Sequence, residues 1–192
     1  MSHQRWPVVA ESLEGAEHQR AVRELILRYG TPAERLGAGP AGAGTRAEAE
    51  VQIARGIDAV WPELAALERF PEWLRESGIS RVERAPGEPL GAGAGLRIEQ
   101  RLAGRVSVLE GVVTVWDPPH RLGFQARHPD GITIEAEAVL APDGSTTWVR
   151  WRLAITLPLR LRLFESMAAP EVRRAAAADL FGFKRRLEQV AT

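Results

Sequence analysis

The sequence predicts an α+β domain in which a curved antiparallel sheet of about seven strands wraps around a long C-terminal helix, with two short helices after the first strand. Three observations predict it. From Leu96 to Ile155 apolar and polar residues alternate in run after run, with turn residues between the runs. From Pro170 to Val190 the period changes to that of a helix. The strands offer one apolar face, and this last helix is the segment long enough to cover it.

The elements follow in order. Val22, Leu25, Ile26 and Tyr29 recur at helical spacing, with Val9, Leu13 and Ala16 upstream, and Gly30-Thr31-Pro32 is a stop signal. One amphipathic helix within Glu11 to Tyr29 is expected. Leu36 to Thr45, LGAGPAGAGT, reads as a flexible linker. Its glycines do not make a phosphate loop, since no strand precedes them and no Gly-Lys-Ser/Thr follows. Residues 1–45 are therefore read as an N-terminal extension and 46–192 as the domain.

A first strand is expected over Glu48 to Ala54, with Ala49, Val51 and Ile53 on one face. Ile57, Val60, Trp61 and Leu64 then give a helical period. Leu67, Phe70, Trp73 and Leu74 give a second short helix, broken by Pro71. Ile79 to Arg84 is a short strand and Pro86 to Gly95 a loop. Leu96, Ile98, Gln100 and Leu102 face one way, and Arg97, Glu99 and Arg101 the other. Ala103-Gly104 is a turn. Arg105 to Trp116 is a long β-rich run, ended by Asp117-Pro118-Pro119 because proline has no ladder donor. Leu122, Phe124 and Ala126 alternate next. Pro129-Asp130-Gly131 and Pro142-Asp143-Gly144 are hairpin turns on either side of Ile132 to Leu140. Val149, Trp151, Leu153 and Ile155 close the meander. Leu157 to Leu163 is ambiguous between strand end and helix lead-in. The last helix carries the stripe Val172, Ala176, Leu180, Phe183, Leu187 and Val190, with Pro170 in its first turn. Ala175 to Ala178 and Gly182 are small, which is expected to leave space beneath the helix.

Composition excludes several chemistries. The 192 residues contain no cysteine, so disulfides, thiolate nucleophiles and iron–sulfur clusters are out. Twenty-five basic residues balance 25 acidic ones, which argues against a nucleic-acid binder. No stretch approaches the roughly 20 apolar residues of a membrane span. MSHQRWPVV lacks the basic start and apolar run of a secretory signal, so a cytoplasmic location is expected. No spacing of histidines or carboxylates indicates a metal, and no motif indicates a cofactor. No nucleophile elbow or catalytic triad can be assembled.

Five segments, in order over residues 46–189, resemble the polyketide cyclase/dehydrase and lipid-transport superfamily, the START-like or helix-grip fold. They are Val51–Ile53 with IDAVWPELAALERFPEWL (57–74), GLRIEQ (95–100), VVTVWDPPHRLGFQ (112–125), GSTTWVRW (144–151) and DLFGFKRRLE (179–188). The resemblance implies a cavity between sheet and helix. It does not imply one chemistry, because this superfold hosts carriers, cyclases, receptors and chaperone activators.

Trp61, Trp73, Ile98, Gln100, Phe124, Ile134, Trp151, Ala176 and Phe183 are the candidate ligand-lining residues. A mostly apolar lining with few polar groups is how small-molecule sites are built. Gln100 stands alone among apolar neighbours and needs a hydrogen-bond partner, from a ligand or from the protein. Glu110 and Asp179 are the candidate catalytic acids. An inward Glu110 would have a raised pKa suited to acid–base work, while a strand bulge would swap its face. Asp179 faces the cavity or an outer arginine. Three functions follow: binding or carriage of a hydrophobic small molecule (lipid, isoprenoid or polyketide-like), cyclase, aromatase or dehydratase catalysis in the same cavity, and docking on a protein partner. Binding without catalysis is the leading expectation. A homodimer, or a partner engaged through the N-terminal helix, stays open.

Overall fold

The computed structural model describes residues 44–87, 89–102, 105–159 and 165–189. The helix expected within 11–29, the linker up to residue 43, the turn at 103–104 and residues 160–163 of the ambiguous stretch lie outside them. The elements are β1 (Thr45–Ile53), α1 (Ile57–Ala65), a 3-10 helix (Leu67–Glu72), β2 (Ile79–Arg84), β3 (Gly95–Leu102), β4 (Arg105–Asp117), β5 (Arg121–Arg127), β6 (Thr133–Asp143), β7 (Thr146–Thr156) and α2 (Glu165–Gln189).

The seven strands form one antiparallel sheet in the order β1-β7-β6-β5-β4-β3-β2. The two short helices carry the chain from β1 at one edge to β2 at the other. The meander then returns strand by strand until β7 pairs with β1. The turns at Gly131 and Gly144 have φ of 84° and 59°, a region glycine enters without steric penalty, which is why both Pro-Asp-Gly sequences make the hairpins of β5–β6 and β6–β7.

Alternation along the strands places Ala49, Val51 and Ile53, Leu96 and Ile98, Leu122 and Phe124, Ala136 and Ala138, and Val149 and Trp151 on one buried face. In β4 the inward residues are Leu109 and Val113, opposite Ile98 and Phe124. A register shift between Val113 and Val115 sets both Thr114 and Val115 against Gly123. A Cβ on Gly123 would lie 3.1 Å from the Val115 Cβ, so a residue without one fits opposite the bulge. After the bulge Trp116 turns inward and packs on the core.

α2 crosses this face with Ala176, Leu180, Phe183 and Leu187 buried and Val172 partly buried. Its end is tied to the end of β1. The Lys184 ammonium donates to the Gln52 carbonyl, and the Ala54 N–H donates to Glu188 Oε1 at 2.8 Å. The opposite face of the sheet carries an ion-pair ladder of Glu48, Glu50, Arg150, Arg152, Glu137 and Arg121. Burial pushes the Arg152 guanidinium down to about 10, still charged at neutral pH.

Three expectations change. β1 begins at Thr45, three residues before Glu48, because its alternation and pairing with Ile155 extend that far. α2 begins at Glu165, so Pro170 lies in its second turn instead of its first. There its missing N–H forgoes one bond to the helix's opening turn. The second short helix is a 3-10 helix with Pro71 inside it.

Candidate functional site

The interior between sheet and α2 is built on aromatic rings. Trp73 follows the 3-10 helix, and Phe70 sits one turn earlier on the same eclipsed face. The Trp73 ring lies 5.1 Å from Phe70, 5.5 Å from Trp151 and 4.9 Å from Phe183, centroid to centroid. Phe124 is 5.9 Å from Phe70 and 6.3 Å from Trp151. The pairs of Trp73 with Phe70 and Trp151 are edge-on, a favoured arrangement for aromatic rings, and the others are tilted. Small residues make room for the rings: Phe124 stands opposite Ala136, and Trp151 opposite Ala138. A separate pair, Trp61 and Trp116 at 5.3 Å, joins α1 to β4.

Trp73 is 2% exposed and its Nε1–H has no hydrogen-bond acceptor among the described residues. A buried donor without a partner costs about 1–3 kcal/mol, so this N–H is a group with an unmet preference in the middle of an apolar site.

Burial loosens toward one end of the inner face. Along β6 it falls from fully buried Leu140 and Ala138 to partly buried Ile134, and along β7 from Val149 and Trp151 to partly buried Leu153 and Ile155. Partly buried Val172 belongs to the half of α2 that follows β7 in the chain. The aromatic cluster is thus a closed floor, and Ile134, Leu153, Ile155 and Val172 form a looser aliphatic rim.

The candidate polar residues are placed as follows. Gln100 is buried on the inner face, and its Nε2 donates to the Ser77 carbonyl at 2.9 Å. Its partner is a protein loop. Asp179 is 1% exposed and accepts backbone N–H bonds from Glu76 at 2.7 Å and Ser77 at 2.9 Å. Burial raises its pKa, and the hydrogen bonds from Ser77 and Glu76 oppose the rise. α2, the loop at 76–77 and β3 are thereby clamped together. Glu110 is exposed on the outer face, between Arg97 and Arg127 in the register. The bulge comes after it and leaves its face unchanged, so the inward Glu110 considered from the sequence is corrected: it does not reach the interior.

The lining candidates Trp73, Ile98, Phe124, Trp151, Ala176 and Phe183 are all buried in the core, and Ile134 is at its rim. Trp61 is partly buried against Trp116, apart from the central rings. The space expected beneath the small residues of α2 is also corrected at Gly182. A Cβ there would lie at an ordinary contact distance, 3.6 Å from the Trp73 carbonyl, so the room at this point is that of a methyl group and no larger. Sequence reasoning missed Phe70 and Trp116 as members of the aromatic sets. The i, i+3 spacing of Phe70 and Trp73 was the available signal, whereas the inward turn of Trp116 depends on the bulge. Among the described residues, no group of three histidines or carboxylates could hold a metal, and no helix is long and apolar enough to cross a membrane.

Solved structures of the same fold share this architecture. A protein from Thermus thermophilus has 22% identity and a TM-score of 0.61 over 77% of this chain and 99% of its own. The Zhui aromatase/cyclase from a Streptomyces species has 17% identity and a TM-score of 0.62 over 78% and 96%. A START superfamily protein from Mycobacterium smegmatis has 16% identity and a TM-score of 0.54 over 77% and 100%. None of the curated proteins compared with the chain matches it. The family model described as polyketide cyclase / dehydrase and lipid transport matches residues 44–188, nearly the whole extent of the sheet and α2. With strand order, helix placement and sequence match in agreement, the chain belongs to the polyketide cyclase/dehydrase and lipid transport family.

Proposed function

We propose that the domain from residue 46 onward binds and carries a hydrophobic small molecule between the sheet and α2, without transforming it. The observation that carries this reading is the state of the two candidate acids. Glu110 is on the wrong face, and both oxygens of Asp179 are engaged by backbone N–H groups. A general acid or base must come within hydrogen-bond reach of the reacting group, and neither carboxylate is available for that. Among the described residues, the rest of the interior is chiefly aromatic and aliphatic surface, which binds by removing apolar area from water. The ligand would rest on Trp73, Trp151 and Phe124 and pass the rim at Ile134 and Leu153.

The Trp73 N–H refines the ligand class. A ligand bearing a carbonyl or hydroxyl oxygen can satisfy that donor, whereas a plain hydrocarbon leaves it bare. Oxygenated aromatic or isoprenoid molecules therefore fit better than alkanes.

Titration with the neutral fluorophore N-phenyl-1-naphthylamine tests the reading. The wild-type protein is expected to bind it saturably. Ile134→Trp, which fills the rim, is expected to weaken binding about tenfold with an unchanged circular dichroism spectrum. Equal binding by Ile134→Trp and Leu153→Trp would place the ligand elsewhere.

A further inference from the structure

A cavity lies outside the aromatic interior. α1 buries Val60 and Leu64, and a quarter-turn away it presents Ala59 and Glu63. These two, with Arg55 ahead of α1, Arg69 on the 3-10 helix, and Arg186 and Leu187 near the end of α2, line a cavity of about 170 Å³. That is some ten times the roughly 10–15 Å³ needed to hold one water.

Its charges do not balance. Arg69 bonds Glu63 at 3.0 Å and Glu72 at 3.1 Å, and Arg186 bonds Glu63 at 2.8 Å and Glu72 at 2.7 Å. These four form a neutral box. Arg55 is the third cation, and it is half-buried with no side-chain ion pair or hydrogen bond among the described residues. Its backbone is fixed. The N–H donates to the Ile53 carbonyl at 2.8 Å, and the carbonyl accepts from Thr147 Oγ1 at 2.8 Å. Glu188, the carboxylate that α2 brings to the residue before Arg55, is already held by Lys184 and by the Ala54 N–H. Asp58, in the first turn of α1, is exposed and does not line the cavity. α1, with Gly56 as its N-cap, has no side-chain cap, so its terminal N–H groups add partial positive charge beside Arg55.

We propose that this cavity binds a small oxyanion, a carboxylate or phosphate group, with Arg55 as the main ligand. Arg69 and Arg186 are neutralised by their glutamates and shape the wall of the site. A guanidinium fork matches either anion in a bidentate mode. Ala59 and Leu187 give the site an aliphatic wall, so a short carbon chain attached to the anion is accommodated. The site is independent of the interior ligand.

The test is a titration of the full chain with inorganic phosphate and, separately, with butyrate, at ionic strength fixed by chloride. The arginine Nε–Hε signals are followed by nitrogen–proton NMR. Saturable shifts are expected, weakened about tenfold in Arg55→Gln and less in Arg55→Lys. Saturation by phosphate alone assigns a phosphate ligand, and by butyrate alone a carboxylate. No saturable shift with either anion, or equal affinity in Arg55→Gln, would overturn the proposal.

Discussion

Asp179 shows how a side chain that looks catalytic in the sequence becomes structural in the fold. It is a carboxylate one position off an apolar helical stripe, and the fold turns it toward two loop N–H groups. Asp179→Ala removes the acceptor of two part-buried loop N–H groups and is expected to cost about 2 kcal/mol, read from urea unfolding. Its pH dependence has a definite sign. Burial raises the folded pKa above 3.8, so the native state holds the proton more tightly than the unfolded chain. This group's contribution is thus largest below the unfolded pKa and is lost as pH rises through the folded one. Asp179→Asn is expected to flatten that part of the stability–pH curve, and an unchanged curve would remove Asp179 as its source. Trp73 makes the complementary case. Its ring has three aromatic neighbours, and its N–H has no acceptor among the described residues. Trp73→Phe is expected to weaken binding of an oxygenated aromatic several-fold more than binding of the corresponding hydrocarbon, measured by competition with the fluorophore. Equal losses would deny the N–H a role in recognition.

At the scale of elements, the pattern of the sequence was legible where one face is apolar and the other charged. β3, β5, β6 and β7 alternate cleanly, and their inward residues follow from that alternation. β4 did not reveal its face, because Ser107, Leu109, Gly111 and Val113 are no more apolar than Val106, Val108, Glu110 and Val112. Its face is fixed by neighbours, through Ile98 opposite Leu109 and Phe124 opposite Val113. Helix length was legible and its packing depth was not. The small residues of α2 permit close approach or leave a void, and only the position of the Trp73 carbonyl decides between them. Gly182→Ala places a Cβ at an ordinary contact distance of 3.6 Å. It is expected to raise stability by about 0.5–1 kcal/mol, as helical Gly→Ala changes do. Gly182→Val adds branches toward the loop and is expected to destabilise. Thermal unfolding of the two variants separates close packing from empty space, since both would be tolerated over a void.

The whole molecule divides into two electrostatic regimes on the two sides of one sheet. The outer face pairs arginines with glutamates strand by strand, and the inner face gathers rings and aliphatic chains under α2. This division was visible in the sequence as alternation, as was the order of elements over 46–189. The candidate site was legible as a list of inward residues. It was not legible as a shape, since ring-on-ring contacts such as Trp73 with Trp151 join residues far apart in the chain. On the function proposed above, this interior holds a hydrophobic molecule without chemical change. Native mass spectrometry of freshly purified full-length protein, followed by solvent extraction, tests it most directly. One apolar adduct per chain, released unaltered and missing from Ile134→Trp, is the expected result. A clean apo mass in the wild-type protein, with turnover of an added polyketide-like substrate, would contradict it.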